Sequence, residues 1–170
     1  MNRFQPSWQA CTISRASQSS PCGGNSRAFS TRISSPLKFT SDTSGHTIAN
    51  NIFVVDSEAD IPVVKSTFAV NANRFRNNLY WRTGGKARFE IQAAKNLGMA
   101  GFAALVQSQG EICANPALKA LSGKDIHPCK GSPCVGAGTR LPGMGRRDLY
   151  GIPVGRFGRV NIGCSLVHPR

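Results

Sequence analysis

One short pattern occurs twice in this chain. Residues 49–54 read ANNIFV and residues 76–81 read RNNLYW. Each has an Asn pair followed by an aliphatic and then an aromatic residue. Asn is a poor strand former and costly to bury, so paired asparagines inside an apolar run need a reason. Asn50 and Asn77 lie 27 residues apart, a period at which stacked repeats are considered first. In a parallel β stack each turn of chain lies about 4.8 Å from the next. A corner residue then sits over the same corner one turn on. Asn tolerates left-handed backbone at a corner, and its amide both donates and accepts hydrogen bonds. Asn50, Asn51, Asn77 and Asn78 are therefore read as a structural ladder, with side chains bonded along the stack as in other in-register β assemblies. Leu79 and Trp81 are candidates for the interior. Two unrelated Asx turns before strands are the alternative.

The flanking sequence fits short strands. HTIANNIFVVDS (46–57), DIPVVKSTFAV (60–70) and NANRFRNNLYWRTGG (71–85) are β-rich runs bounded by turn residues. In the next segment, Phe89, Ala93, Leu97, Ala104 and Leu105 fall near helical spacing. That predicts a helical insertion around 89–109, outside the stack or covering its end. The 18 Gly and 10 Pro favour many turns over long helices, and the chain beyond Gly110 is turn-rich. The expected fold is all-β: a short parallel β solenoid with a helical insertion and a loop-rich C-terminal cap.

A length of 170 residues sets one domain, or one domain with a tail. Residues 1–43 read as a basic, Ser/Arg-rich, disordered tail, and residues 44–170 as the folded domain. Met1 to Leu37 holds no acidic residue, a composition similar to an organellar presequence. A disordered arm has the same composition. Lys and Arg number 21 against 8 Asp and Glu, for a formal charge of +13. That balance suits nucleic acid, an anionic polysaccharide or an acidic surface as partner. Scattered surface arginines would give the same total. No window reaches the roughly 18 apolar residues that span a membrane.

Six cysteines, Cys11, Cys22, Cys113, Cys129, Cys134 and Cys164, allow fifteen pairings, and spacing does not choose among them. Cys129, Cys134, Cys164 and His168 are zinc-type ligands, but the gap between the first two is looser than usual. Free or incidentally paired thiols are the alternative, and no metal or other cofactor is predicted.

Several stretches, taken in order, resemble a known family. ANNIFV and NNLYWR are followed by ANPAL (114–118), KGSPCVGAGT (130–139), RDLYGIPVG (147–155) and VNIGCSLVH (160–168). The series resembles the C-terminal end of secreted right-handed parallel β-helix proteins of the pectate-lyase-like superfamily, over about Thr47 to Cys164. Asn161 stands where the family usually has Asp, and Cys134 where it has a small apolar residue. The final aromatic-acidic run and a secretory signal are missing.

The resemblance implies a right-handed stack, an extracellular or periplasmic location and polysaccharide handling, as a lyase or glycoside hydrolase if the chain is catalytic. Lyases of this kind abstract a proton with Arg or Lys, often beside calcium, so calcium is an implied cofactor. Lys65, Arg74, Arg76 and Arg82 would line a face that attracts an anionic sugar. They would look the same as plain solvent-facing strand positions. Family catalytic groups usually sit in central coils, whereas this chain matches the closing ones, so no catalytic residue is assigned. Asp56, Glu58 and Asp60 cluster in a turn, Asp148 belongs to the closing turn, and His46, His127 and His168 are isolated. Two other readings stand: a basic, RNA-associated mitochondrial structural protein, and a non-catalytic end-piece of a surface protein. About three coils are needed for stability. An open coil end here would be covered by residues 1–43, by self-association with a second copy, or by further coils of a longer chain.

Overall fold

Corners organise the backbone. The computed structural model describes residues 35–42, 44–56, 60–120, 125–154, 160–163 and 165. Asn50 (φ 57°) separates β2 (Thr47–Ala49) from β3 (Ile52–Val55). Asn77 (φ 51°) separates β5 (Arg74–Arg76) from β6 (Leu79–Arg82). Gly110 (φ 73°) separates β9 (Gln107–Gln109) from β10 (Ile112–Cys113). The remaining elements are β1 (Leu37–Phe39), β4 (Val64–Ser66), β7 (Phe89–Ile91), β8 (Ala94–Leu97) and α1 (Met99–Leu105). The protein is therefore mostly β, with one short helix among the described residues.

The strands form three sheets, ordered β1-β4-β7-β8, β10-β6-β3 and β2-β5-β9. None closes into a barrel. All pairings but one are parallel. Thr47 pairs with Arg74 and Arg74 with Gln107. Ile52 pairs with Leu79, which pairs with Ile112. Leu37 pairs with Val64, which pairs with Phe89. The spacing of the two Asn pairs is thus also the register of the β3–β6 pairing. The exception is β7 with β8, joined antiparallel around Gln92 (φ 54°).

Two apolar clusters lie on opposite faces of the β10-β6-β3 sheet. The larger gathers side chains from all three sheets, including Phe53, Val64, Phe75, Tyr80, Phe89 and Phe102. Phe53 stacks on its register partner Tyr80 at 5.4 Å, and Phe89 on Phe102 at 4.3 Å. Such ring pairs contribute roughly 0.5–1.5 kcal/mol each beyond their buried area. The smaller cluster holds Ile52, Val54, Leu79, Cys134 and Ile162, with Trp81 packed against it. Neighbouring strand residues point to opposite faces. Leu79 and Trp81 therefore face the C-terminal segment, while Tyr80 takes the place between the sheets that the sequence reading gave to them.

Two further expectations change. The helix is confined to Met99–Leu105, and strands β7, β8 and β9 occupy the rest of 89–109. Phe89 and Ile91 are both buried with Glu90 between them, a period of two that specifies a strand. Gln92 and Asn96 take positive φ, which interrupts a helix. Gly98 caps α1 without a side-chain hydrogen bond. Phe102 is the buried residue of α1 and joins the larger cluster, so the helix contributes to the core. The sheet also begins before residue 44, because β1 pairs with β4 inside the segment read as a tail. Residues 1–34 lie outside the described residues. No helix of the described residues is long and apolar enough to cross a membrane.

Candidate functional site

The two asparagines of each pair do different work. The second one stacks. The Asn51 backbone N–H and Nδ2 both donate to Asn78 Oδ1 at 3.0 Å. Asn78 Nδ2 in turn faces Glu111, at 3.3 Å from Oε1 and 3.2 Å from Oε2. The first one anchors the C-terminal segment. Asn50 Nδ2 donates to the Thr139 carbonyl at 2.7 Å, and the Thr139 N–H returns a bond to Asn50 Oδ1 at 2.8 Å. Asn77 Nδ2 donates to the Ala137 carbonyl at 2.8 Å. Between those two carbonyls lies Gly138, where a Cβ would fall 2.4 Å from the Asn161 carbonyl oxygen and 3.0 Å from Asn50 Oδ1. Asn161 Oδ1 accepts from the Gly136 N–H at 2.8 Å and its Nδ2 donates to the Ser165 carbonyl at 2.9 Å. An Asp there would lose that second bond, which accounts for the amide.

Glu111 is the third rung, and the sequence reading missed it. It follows Gly110 as Asn78 follows Asn77. A Cβ on Gly110 would lie 2.7 Å from Asn77 Nδ2, so glycine takes the corner. Tyr80 Oη donates to Glu111 Oε2 at 2.7 Å, and the Asn78 N–H approaches Oε1 at 3.4 Å. Burial pushes the Glu111 carboxyl up to about 7, against the opposing pull of the Tyr80 and Asn78 hydrogen bonds. Burial, followed by the charge of Glu111, holds the Tyr80 phenol well above its ordinary value. The same two causes raise the Cys113 thiol. A carboxyl that titrates near neutrality has the acidity of a general acid or base. Here its oxygens are engaged by Asn78 and Tyr80, with no second carboxylate beside them among its described partners. The arrangement suits a structural acid.

The four basic residues singled out in the sequence fall on three different sheets. Lys65 of β4 pairs with Glu90, its neighbour on β7, at 2.9 Å. Arg82, at the end of β6, lies 3.6 Å from Asp60, which also pairs with Arg88. Arg74 and Arg76 share one exposed face of β5, in register with Thr47 and Gln107, and with Ala49 and Gln109. Only this last pair remains together on an open surface.

Acidic residues are tied into the fold. Asp56 accepts from Thr83 Oγ1 at 3.0 Å. Asp148 accepts the N–H groups of Tyr150 and Ile152 at 2.9 and 2.8 Å, closing its turn. Asp125 binds His127, whose hydrogen bonds lower the carboxyl below its usual value. The His127 ring stacks on Tyr150 at 3.9 Å. In the acidic turn, Asp56 and Asp60 are thus already partnered, so the calcium that the resemblance implies finds no fitting donor set there. Glu58 lies outside the described residues.

Cys134 is buried in the smaller apolar cluster, its Sγ 3.8 Å from the Pro116 carbonyl, and burial raises its thiol. Cys129 and Cys134 are free thiols. Cys164 and His168, the other proposed zinc ligands, lie outside the described residues. Among the described residues no three His, Cys, Asp or Glu groups are placed to hold a metal ion. Comparison of the chain with protein-family models, with curated proteins and with solved structures finds no match.

Proposed function

We propose that this chain is the closing part of a right-handed parallel β-helix that binds a linear anionic polysaccharide without hydrolysing it. The observation that carries the reading is the exposed pair Arg74 and Arg76 on one face of the β2-β5-β9 sheet, flanked in register by Thr47, Gln107 and Gln109. Alternate residues of a strand lie about 7 Å apart on one face. Guanidinium groups recognise carboxylates bidentately, while hydroxyl and amide side chains suit sugar hydroxyls. The coil reading is supported by the three sheets being visited in rotation, each strand except β8 parallel to and in register with the one before it in its sheet. Parallel crossovers of this kind are almost always right-handed. An extracellular or periplasmic site of action goes with this reading.

Binding without hydrolysis is favoured because each described acid from Asp56 onward has a structural partner. Glycoside hydrolysis needs two carboxylates facing one bond. The test is titration of the full chain with polygalacturonate and with uncharged dextran. Selective binding of polygalacturonate that weakens in Arg74→Gln and Arg76→Gln supports the reading, and equal affinity for the two polymers refutes it. A second reading, association with RNA, is favoured by the formal charge of +13. Tighter binding to RNA with a steep loss of affinity on adding salt would replace the polysaccharide reading.

A further inference from the structure

We propose that Glu111 is a proton-operated latch that holds the last turn of chain, β9 and β10, onto β5 and β6. Three geometric facts carry this. Glu111 occupies the ladder position held by the neutral amides of Asn51 and Asn78 in the two preceding turns. The Tyr80 hydroxyl that meets it at 2.7 Å belongs to a fully buried side chain in the core of the stack. The corner beside it is closed by Gly110 against Asn77. A carboxylic acid fits such an amide ladder as a neutral group, whereas a carboxylate brings a charge to the edge of an aromatic core.

The groups facing Glu111 are few. Tyr80 comes from β6, Asn78 from the β5–β6 corner, and Cys113 from β10 on its own strip. Tyr80 and Cys113 are both neutral at physiological pH because burial and the Glu111 charge raise them. No Lys, Arg or His is among the described partners of Glu111. Its carboxyl titrates near 7 in place and at its ordinary value of 4.5 once freed into water. Raising the pH through neutrality therefore favours release of β9 and β10, and acidification favours closure.

Hydrogen exchange on the full chain tests this. The reporters are the Ile112 N–H, bonded to the Asn78 carbonyl at 2.8 Å, and the Asn77 N–H, bonded to the Gln109 carbonyl at 2.9 Å. Between pH 6 and pH 8 their protection factors, corrected for intrinsic exchange, fall by about tenfold. The Leu37 N–H, bonded to the Val63 carbonyl on the edge strand β1, exchanges by local opening of that edge, which leaves Glu111 in place, so it serves as a control and keeps its protection. Glu111→Gln abolishes the pH dependence at both reporters. Tyr80→Phe, which removes a donor to the carboxylate and keeps the ring, moves the transition to higher pH. Unchanged wild-type protection between the two pH values would overturn the latch. So would an undiminished tenfold fall in Glu111→Gln, a transition that stays in place in Tyr80→Phe, or a matching fall at Leu37.

Discussion

Asn77 donates from its side chain to the backbone of Ala137, sixty residues along the chain, at 2.8 Å. Asn50 makes the corresponding reach to Thr139, with bonds in both directions. The corner asparagines thus have two structural tasks. Their left-handed backbone turns the chain, and their amides hold the closing segment over Ile52, Leu79 and Trp81. Asn50→Ala removes both bonds and puts a Cβ residue without local hydrogen bonding at φ 57°. Two lost bonds at about 1 kcal/mol each, plus about 1–2 kcal/mol for left-handed backbone, predict a loss of about 3 kcal/mol. Urea denaturation measures it. Asn50→Gly keeps the corner and loses only the bonds, so it falls between wild type and Asn50→Ala.

Gly138 is predicted to tolerate no side chain. The Cβ of an alanine there meets the Asn161 backbone carbonyl at 2.4 Å and Asn50 Oδ1 at 3.0 Å. Backbone cannot move aside as a flexible side chain does, so the segments carrying Gly138 and Val160, bridged by a backbone bond of 2.8 Å, separate. Gly138→Ala is expected to cost about 2–4 kcal/mol, within the range of strain in a packed site. Trp81, which packs under this segment, reports the separation as a red-shifted emission. An unshifted spectrum together with an unchanged urea midpoint would show the clash to be relieved elsewhere.

The corners were legible because an Asn pair before an apolar run carries its own physical reason, and because two pairs fix a spacing. Glu111 was not. Gly-Glu replaces Asn-Asn there, and β8 with α1 lengthens the third interval, so neither residue type nor period pointed to it. The facing of Leu79, Tyr80 and Trp81 was hidden for another reason. With three apolar residues in a row, alternation cannot tell which face is inside, and both faces of that sheet are covered. Phe89, Ala93 and Leu97 fit helical spacing, but burial follows Phe89 and Ile91 at strand spacing. The pairing of Lys65 with Glu90 depends on strands brought together by the fold, which composition does not record.

Stability is predicted to fall as pH rises from about 4.5 to about 7. The sign follows from Glu111. Its carboxyl sits near 7 in the folded chain and at 4.5 when exposed, so the folded state binds the proton more tightly than the unfolded state. Stability is highest below 4.5, declines through the interval and levels off above 7. The shift corresponds to about 3 kcal/mol at about 1.4 kcal/mol per unit. Asp125 acts in the opposite sense and in a lower window. Its carboxyl is depressed below 3.8, so its contribution is lost only as pH falls through that depressed value. Urea midpoints from pH 4.5 to 8 read the Glu111 effect directly, and Glu111→Gln should flatten the profile. A wild-type profile that rises across this range contradicts the assignment.

Polymer binding is predicted to depend on Arg74 and Arg76 and to be indifferent to Lys65. Arg74 and Arg76 are exposed on β5, and Lys65 is committed to Glu90 at 2.9 Å. A charge-assisted hydrogen bond to a carboxylate contributes about 1.5–3 kcal/mol, so each Arg→Gln change lowers affinity for polygalacturonate by about tenfold or more at low salt. The double variant loses more than either single one, because the two side chains lie on one face and engage one chain. Lys65→Gln leaves affinity unchanged and lowers stability by no more than about 1 kcal/mol, as for an exposed ion pair. Isothermal titration of the wild type and the four variants at two salt concentrations decides the matter. An affinity loss in Lys65→Gln equal to that in Arg74→Gln would mean that the attraction is the net charge of the molecule and not the β2-β5-β9 face.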